Sequence, residues 1–236
     1  MHALGAGLAI KGFKVLFVDL DAQCNLTDIT KADDSNLTVM DLLTKGVDVQ
    51  EVIQHMEQWD IIPASNLLAG ADILISGKGR EYRLKNVLES VKELYDFTLL
   101  DTPPSLGVLI TNALTASTEI IIPAQADRFS LKSIAQLYTT IGTIKKYSNA
   151  SLDVKGILLT RYNGRSILSR DFAETLEKAA HEMGTIIFKT KIRENIAIRE
   201  AQARREDIFG YAPKSNAARD YDAFIDELLK ELKKHG

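Results

Sequence analysis

Residues 15–27 read VLFVDLDAQCNLT, and this stretch decides the fold of the chain. Its first four residues are apolar and rich in β-formers, which predicts a short buried strand that ends near Asp19. Residues 97–105 read FTLLDTPPS and repeat the arrangement, with Asp101 after the apolar run. Ligands of open α/β sheets bind beyond the carboxyl ends of the strands. The two stretches therefore predict one site that carries carboxylates.

Apolar runs alternate with helical patterns along the whole chain. Runs rich in Val, Ile and Leu without polar alternation are typical of parallel strands that are covered on both faces. They lie at 15–18, 61–62, 97–100, 120–122 and 154–159. Helical patterns lie near 2–11, 38–44, 66–75, 80–94, 105–116, 130–147, 167–183, 194–203 and 214–234. The alternation predicts a doubly wound α/β fold, with a mostly parallel sheet flanked by helices, as a single domain over 1–236.

Composition excludes several classes of protein. The 236 residues are 45% hydrophobic and 26% charged, which is ordinary for a globular protein. No apolar run reaches the ~18 residues that a membrane span needs. The single cysteine, Cys24, excludes an internal disulfide framework. The net charge of −3 argues against a constitutive nucleic-acid binder, but residues 185–205 are rich in Lys and Arg. That segment is either a local basic face or a solvated helix surface.

Three carboxylates fall at the ends of predicted strands. Asp19 and Asp21 flank one residue, so in an extended segment their side chains point the same way. Asp101 ends another strand. Carboxylate oxygens suit a hydrated Mg²⁺ and can orient an attacking water. The alternative is that these residues only cap the helix or turn that follows each strand.

These motifs resemble the ParA family of deviant-Walker partition ATPases, which is related to MinD, and the resemblance covers nearly the whole chain. The family's D-x-D-P-Q-x-N-x-T segment corresponds to residues 19–27, with Ala22 in place of the usual proline. Its other segments are similar to residues 101–107 (DTPPSLG), 123–131 (PAQADRFSL), 158–170 (LLTRYNGRSILSR), 192–201 (IRENIAIREA) and 211–215 (YAPKS). The resemblance implies a fold of the P-loop NTPase type and an ATP- and Mg²⁺-dependent activity.

The resemblance also implies a role for each site residue. Asp21 would position the attacking water, and Asp19 would support the metal and the switch loop, so both are candidate catalytic residues. Asp101 would hold Mg²⁺ through water, with Asp19 as the second metal-site residue. Contacts to the nucleotide are implied for Asn25, Pro103, Thr160, Arg161 and Arg193.

The partners implied by the resemblance are a second copy of the chain, DNA and a centromere-binding ParB-like protein. An ATP-bound homodimer would bind DNA non-specifically and segregate a plasmid, a chromosome or a mobile element. The expected location is cytoplasmic and nucleoid-associated, with no stable membrane anchor. Arg165 keeps a family DNA-binding position, and we expect Arg199, Arg204 and Lys214 to extend the basic face. Contacts to phosphates need only positive charge within reach.

Besides Ala22, the chain departs from the family pattern in three places. The K-G-G-x-G-K-T phosphate loop and its preceding strand do not occur, and residues 2–12 match the helix that follows that loop. We therefore expect the sequence to be truncated before or within the loop, to leave unpaired sheet edges and to be inactive alone as an ATP hydrolase. The family's Pro-Arg pair is Arg193-Glu194 here, and a DNA-contacting arginine of the family falls at Ala197.

Two other functions stay open at this point. One is a binding module that keeps the fold without hydrolysing ATP. The other is a membrane-placed regulator of division similar to MinD, for which residues 230–236 (KELKKHG) are a weak candidate anchor. The apolar stripe of the preceding helix, from Tyr221 to Leu232, is more typical of packing on a core than of membrane binding.

Overall fold

The computed structural model describes residues 1–233, without the side chain of Arg128. Within that range the strands are β1 (Val15–Asp19), β2 (Gln54–His55), β3 (Asp60–Ile62), β4 (Phe97–Asp101), β5 (Glu119–Ala124) and β6 (Asp153–Leu159). The α-helices are α1 (His2–Ile10), α2 (Asn25–Ile29), α3 (Val39–Lys45), α4 (Val49–Val52), α5 (Ala71–Leu74), α6 (Arg83–Glu89), α7 (Val108–Ala116), α8 (Arg128–Tyr147), α9 (Ile167–Glu182), α10 (Ile196–Arg204), α11 (Ile208–Tyr211) and α12 (Asn216–Leu232). Short 3-10 helices lie at Asn66–Gly70, Arg80–Tyr82 and Lys92–Leu94.

The chain packs into two compact units. Unit 1 comprises Met1–Ser117 and Gln202–Asp207, and unit 2 comprises Thr118–Ala201 and the described residues from Ile208 onward. The boundary falls inside α10, whose last residues belong to unit 1. The single domain over 1–236 stays a prediction.

The sheet of unit 1 has the order β2-β3-β1-β4. β1 pairs in parallel with both β3 and β4, and β2 pairs antiparallel to β3. All five residues of β1 are buried, as expected for an apolar strand with neighbours on both edges and cover on both faces. In the register of β1 with β4, Asp19 lies opposite Asp101. The two carboxylates therefore lie at the same end of the sheet, where the parallel strands have their carboxyl ends.

Helix α1 lies close against the sheet of unit 1. Gly5 makes this approach possible, because a Cβ atom at that position would come within 2.1 Å of the Phe17 ring. The other face of the sheet packs on a cluster of buried residues that includes Leu16, Val18 and Ile62. Burial of such side chains is the main force that stabilises a domain of this kind.

In unit 2, β5 and β6 form a parallel pair with an irregularity between Ile120 and Ile121. The Lys155 ammonium is buried and lies 3.3 Å from a carboxylate oxygen of Glu119 and 3.0 Å from one of Asp153. A buried charge needs such partners, because desolvation is otherwise unfavourable. The three side chains tie the amino-terminal ends of the two strands together.

The amphipathic helix α12 packs its apolar face inside unit 2. Phe224, Ile225 and Leu228 are buried, and the Phe224 ring meets the Phe188 ring edge-on with centroids 5.0 Å apart. The expected core packing of this stripe is confirmed. Of the candidate anchor at 230–236, residues 234–236 lie outside the described residues. No helix in the described part of the chain is long and apolar enough to cross a membrane.

The predicted continuous helices at 66–75 and 80–94 are wrong in detail. Each is broken into short 3-10 and α segments. In the second stretch, the Ser90 hydroxyl donates to the carbonyl of Val87 at 3.0 Å, and α6 ends at Glu89. Serine side chains compete in this way with the backbone bonds of a helix.

The predicted fold class is confirmed, since mostly parallel strands are flanked by helices. The hydrogen bonds form a four-stranded and a two-stranded sheet rather than one sheet. Among residues 1–233, β2 and β4 are the edge strands of the first sheet, and β5 and β6 form the second. β4 is only half-buried along its length.

Candidate functional site

Asp19 is the most constrained group of the site. It ends β1, is fully buried, and accepts three hydrogen bonds from its own loop. Oδ2 accepts from the Thr27 amide at 2.9 Å and from its hydroxyl at 2.7 Å, and Oδ1 accepts from the Asp21 amide at 3.0 Å. Burial raises the pKa of Asp19, and these hydrogen bonds oppose the shift. These hydrogen bonds to Asp19 fix the conformation of residues 19–27, which we call the carboxylate loop.

Thr27 extends this network to the neighbouring strand. While its hydroxyl donates to Asp19, the same oxygen accepts from the Ala64 amide at 2.9 Å. Ala64 follows β3 closely in the chain, so one hydroxyl joins the ends of β1 and β3. The motif pattern marks Thr27 as a family position, but its bond to Ala64 depends on the sheet order and has no signal in the sequence.

Asp21 lies on the turn that the network holds. Its Oδ1 accepts from the Gln23 amide at 3.0 Å, and its carbonyl accepts from the Cys24 amide at 2.9 Å. Cys24 has a left-handed backbone with φ 53°, and α2 begins at Asn25, which is exposed. The Asp21 carboxylate is half-buried and keeps Oδ2 for other contacts.

Asp101 stands at the end of β4. The Leu20 amide donates to its carbonyl at 2.8 Å, which fixes the carboxylate loop to this strand. Its side chain is half-buried. Burial raises the pKa of Asp101, the amino terminus opposes this, and the charges of Asp19 and Asp21 add to the rise. Repulsion among three carboxylates of this kind is relieved by a divalent cation. Pro103, also half-buried, follows in the loop that leads to α7.

The donor set fits a magnesium ion. Asp21 and Asp101 offer carboxylate oxygens, the hard ligands that Mg²⁺ prefers. Oδ1 of Asp19 accepts one hydrogen bond and Oδ2 accepts two, so Asp19 has less capacity left for a metal than Asp21 or Asp101. Among the described residues, no group of three or more His, Cys, Asp or Glu side chains is arranged to enclose a metal.

In unit 2, Thr160 and Arg161 follow the end of β6. Thr160 donates to the carbonyl of Ala124 from its amide at 2.8 Å and from its hydroxyl at 3.3 Å. Arg161 has a left-handed backbone with φ 49° and is exposed. Its guanidinium lies 3.1 Å from the Glu194 carboxylate.

Arg193, an expected nucleotide contact, pairs with a carboxylate of its own unit. Its Nε and Nη2 donate to Asp220 at 2.9 and 2.7 Å, and its amide donates to the same carboxylate at 3.0 Å. The side chain thus anchors the segment before α10 to α12. Asp220 was missed in the sequence, although an acid on the apolar face of α12, between Ala217 and Phe224, is a signal for a buried ion pair.

The candidate DNA-binding residues are exposed cations. Arg165, Arg199 and Lys214 lie in unit 2, and Arg204 lies in the part of α10 that belongs to unit 1. The Arg165 amide donates to the Asn163 side chain at 3.1 Å, which shapes the loop after β6. Position 197, where the family carries an arginine, is a buried alanine.

The fold and the carboxylate loop define a nucleotide-hydrolase-like α/β protein, and comparison with known proteins agrees. Residues 1–154 match the family model described as AAA domain. The chain is 39% identical to the sporulation initiation inhibitor protein Soj of Bacillus subtilis, over 99% of this chain and 91% of that protein. It is 34% identical to the chromosome-partitioning ATPase Soj of Treponema pallidum, over 96% of this chain and 89% of that protein.

A solved structure supports the same fold. Cobyrinic acid a,c-diamide synthase of Mycobacterium smegmatis, crystallised with ADP and magnesium, is 29% identical. Its TM-score is 0.84, with 99% of this chain and 89% of that chain covered. The chain belongs to the ParA/Soj family of P-loop ATPases.

Proposed function

We propose that this chain is a DNA-partitioning protein whose DNA binding responds to Mg²⁺ and nucleotide. The observation that carries the proposal is the carboxylate loop, in which a buried Asp19 holds Asp21 beside the strand end that bears Asp101. Relatives named for chromosome partitioning support it. The active form would be a homodimer that binds DNA without sequence preference, and a ParB-like protein would be its regulator.

The three aspartates have different proposed roles at the metal site. Asp101 and Asp21 would hold Mg²⁺ with their carboxylate oxygens, and Oδ2 of Asp21 would be available to accept a hydrogen bond from the attacking water. Asp19 acts as a positioning residue, because its oxygens are engaged in shaping the loop. Bound Mg²⁺ supplies charge neutralisation for phosphate groups.

Unlike the magnesium site, a cradle for the phosphates of ATP is not present among these residues. Residues 1–236 contain no G-x-x-x-x-G-K-[ST] segment, whose backbone amides and lysine cradle phosphates. We therefore derive no hydrolytic step from these residues. Asn25, Pro103, Thr160 and Arg161 remain proposed nucleotide contacts. Arg193 is proposed to act indirectly, since Asp220 engages its guanidinium.

DNA binding is proposed for the exposed cations Arg165, Arg199, Arg204 and Lys214. Backbone phosphates are recognised by charge within reach, and such contacts are screened by salt. A non-hydrolysing DNA-binding module is the second candidate, favoured by the ion pair that engages the Arg193 guanidinium with Asp220. The MinD-like alternative lacks an available apolar face on α12, where Phe224, Ile225 and Leu228 are buried.

The test is fluorescence anisotropy of a labelled duplex of arbitrary sequence, with and without Mg·ATP, for the wild type and for Asp101→Asn. Through the remaining proposed nucleotide contacts, Asn25, Pro103, Thr160 and Arg161, we expect Mg·ATP to tighten DNA binding by the wild type, and we expect no response from the variant. Asp171→Asn, a charge-matched control at an exposed site on α9, should respond like the wild type. A wild type that binds DNA equally with and without Mg·ATP would support the non-hydrolysing module instead.

A further inference from the structure

Two arginines of unit 2 share one carboxylate oxygen. Oε1 of Glu194 lies 3.1 Å from Nη2 of Arg161 and 3.2 Å from Nη2 of Arg199. We call these three residues the arginine cluster. Two guanidinium groups that converge on one oxygen form the arrangement with which proteins bind a phosphate oxygen.

Backbone contacts hold the cluster in place. Arg161 follows β6, and the next residue, Tyr162, donates from its amide to the Ile192 carbonyl at 2.9 Å. Glu194 precedes α10, which carries Arg199. Arg161 has φ 49°, a conformation that is uncommon for a residue with a side chain and that tends to persist at functional sites. The two arginines are thus brought together by the fold, and not only by their attraction to Glu194.

The Glu194 carboxylate can be replaced by another anion as the partner of the two arginines. The side chains of Arg161, Glu194 and Arg199 are 57%, 50% and 68% exposed. Ion pairs at this exposure contribute little to stability, because water and salt screen them. The cluster has two positive charges and one negative charge, so it still attracts an anion. A phosphate offers more oxygens than one shared Oε1 and can satisfy each guanidinium with two bonds.

We infer that Arg161 and Arg199 form a phosphate-binding pair, and that Glu194 competes with phosphate for it. This inference rests on the proposed function in that the DNA backbone is the intended source of the phosphate. Arg161 then joins the same surface as Arg199, rather than serving the nucleotide alone. Arg193 stays outside the pair, because Asp220 engages its guanidinium.

The first test is DNA affinity of Glu194→Gln, measured by anisotropy at several salt concentrations. Loss of the competing charge should tighten DNA binding about threefold to tenfold, the range expected for two exposed ion pairs. It should also steepen the salt dependence by about one to two in log–log slope. Glu177→Gln removes the same charge from an exposed site on α9 and should change affinity less than twofold. Equal effects of the two variants would overturn the inference.

The second test asks whether the tighter DNA binding of Glu194→Gln depends on both Arg161 and Arg199. Arg161→Gln and Arg199→Gln, each added to Glu194→Gln, should each remove most of the gain. If Arg161→Gln leaves the gain intact, the pair is wrong and Arg199 acts alone.

A third measurement separates this inference from the proposed DNA function. Inorganic pyrophosphate is titrated by calorimetry into the wild type, Glu194→Gln and Glu177→Gln. If no form binds DNA, the proposed function fails, yet tighter pyrophosphate binding by Glu194→Gln alone would sustain the phosphate pair. If the three forms bind pyrophosphate equally, the pair fails. If pyrophosphate gains from Glu194→Gln but DNA does not, free phosphate compounds are the ligand and the DNA backbone is not.

Discussion

The carboxylate loop of unit 1 and the arginine cluster of unit 2 use charge in opposite ways. Asp19 is fully buried and accepts three hydrogen bonds, whereas Glu194 is half exposed and shares one oxygen between two arginines. In the first region the chain satisfies a desolvated carboxylate completely, and the loop is fixed. In the second region water screens the charges, so partners can be exchanged. The first region positions groups, and the second is suited to reversible binding.

The largest effect expected from this difference is on Asp19. Asp19→Ala leaves the amides of Asp21 and Thr27 and the Thr27 hydroxyl without their acceptor, and should lower the free energy of unfolding by about 3 to 4 kcal/mol. Urea unfolding followed by circular dichroism measures this. Asp34→Ala, at an exposed site in the same unit, should change stability by less than ~0.5 kcal/mol. Similar losses in both variants would show that the buried hydrogen bonds of Asp19 do not fix the carboxylate loop.

His2 gives a pH test of burial in unit 1. Burial lowers the pKa of His2 to about 4, against the pull of Asp207, and its Nε2 has no hydrogen-bond partner among the described residues. Between pH 6.5 and about 4 the unfolded chain binds a proton that the folded chain resists, so stability falls as pH falls. The loss should reach at most about 3 kcal/mol, at ~1.4 kcal/mol per pH unit.

Two phenylalanine variants isolate this contribution. His2→Phe should lack that part of the pH dependence, while His181→Phe, at an exposed position of α9 in unit 2, should keep it. If stability changes equally with pH in the wild type and in His2→Phe between pH 4 and 6.5, the claim that burial keeps the His2 imidazole neutral is wrong.

Asp220 tests whether unit 2 also contains a fixed ion pair. Asp220→Asn removes the charge that holds the Arg193 guanidinium and amide, and should lower the free energy of unfolding by about 2 kcal/mol. Asp171→Asn is the exposed control and should have almost no effect. If the two variants are equally stable, the Arg193–Asp220 pair contributes as little to stability as the exposed ion pairs of the arginine cluster.

Asp101 should give the smallest change, with the opposite sign. Burial raises its pKa, and Asp19 and Asp21 add to the rise, so its ionised form weakens the metal-free fold. Asp101→Asn should therefore be more stable at neutral pH, by about 1 kcal/mol. The unfolded chain releases this proton at lower pH, so the gain should shrink as pH falls and vanish below 3.8. Chemical unfolding at pH 7, where we expect the gain, and at pH 3, where we expect none, checks this, and a constant difference would contradict the repulsion.

The sequence was most informative where one local pattern decides a structure. The apolar runs predicted β1, β4, β5 and β6, and the D-x-D spacing placed Asp19 and Asp21 at a strand end, as the structure has them. The pattern did not reveal which carboxylate is engaged by its own loop, because the bond from Thr27 to Ala64 depends on the order of the strands. The pairing of Asp220 with Arg193 and the sharing of Glu194 by two arginines depend on tertiary packing and were not predicted either. The Arg193–Asp220 and Arg161–Glu194 contacts join segments that are distant in sequence, and only Arg199 is close to Glu194 in the chain.

The most direct test of the account is the salt dependence of binding to duplex DNA of arbitrary sequence. The quadruple variant Arg165→Glu, Arg199→Glu, Arg204→Glu and Lys214→Glu is compared with the wild type. The control carries four exposed lysines reversed elsewhere, at Lys85, Lys132, Lys145 and Lys178. We predict that the wild type and the control bind at low salt and lose affinity steeply as salt rises, while the quadruple variant does not bind. Unchanged low-salt affinity in the quadruple variant would contradict the account.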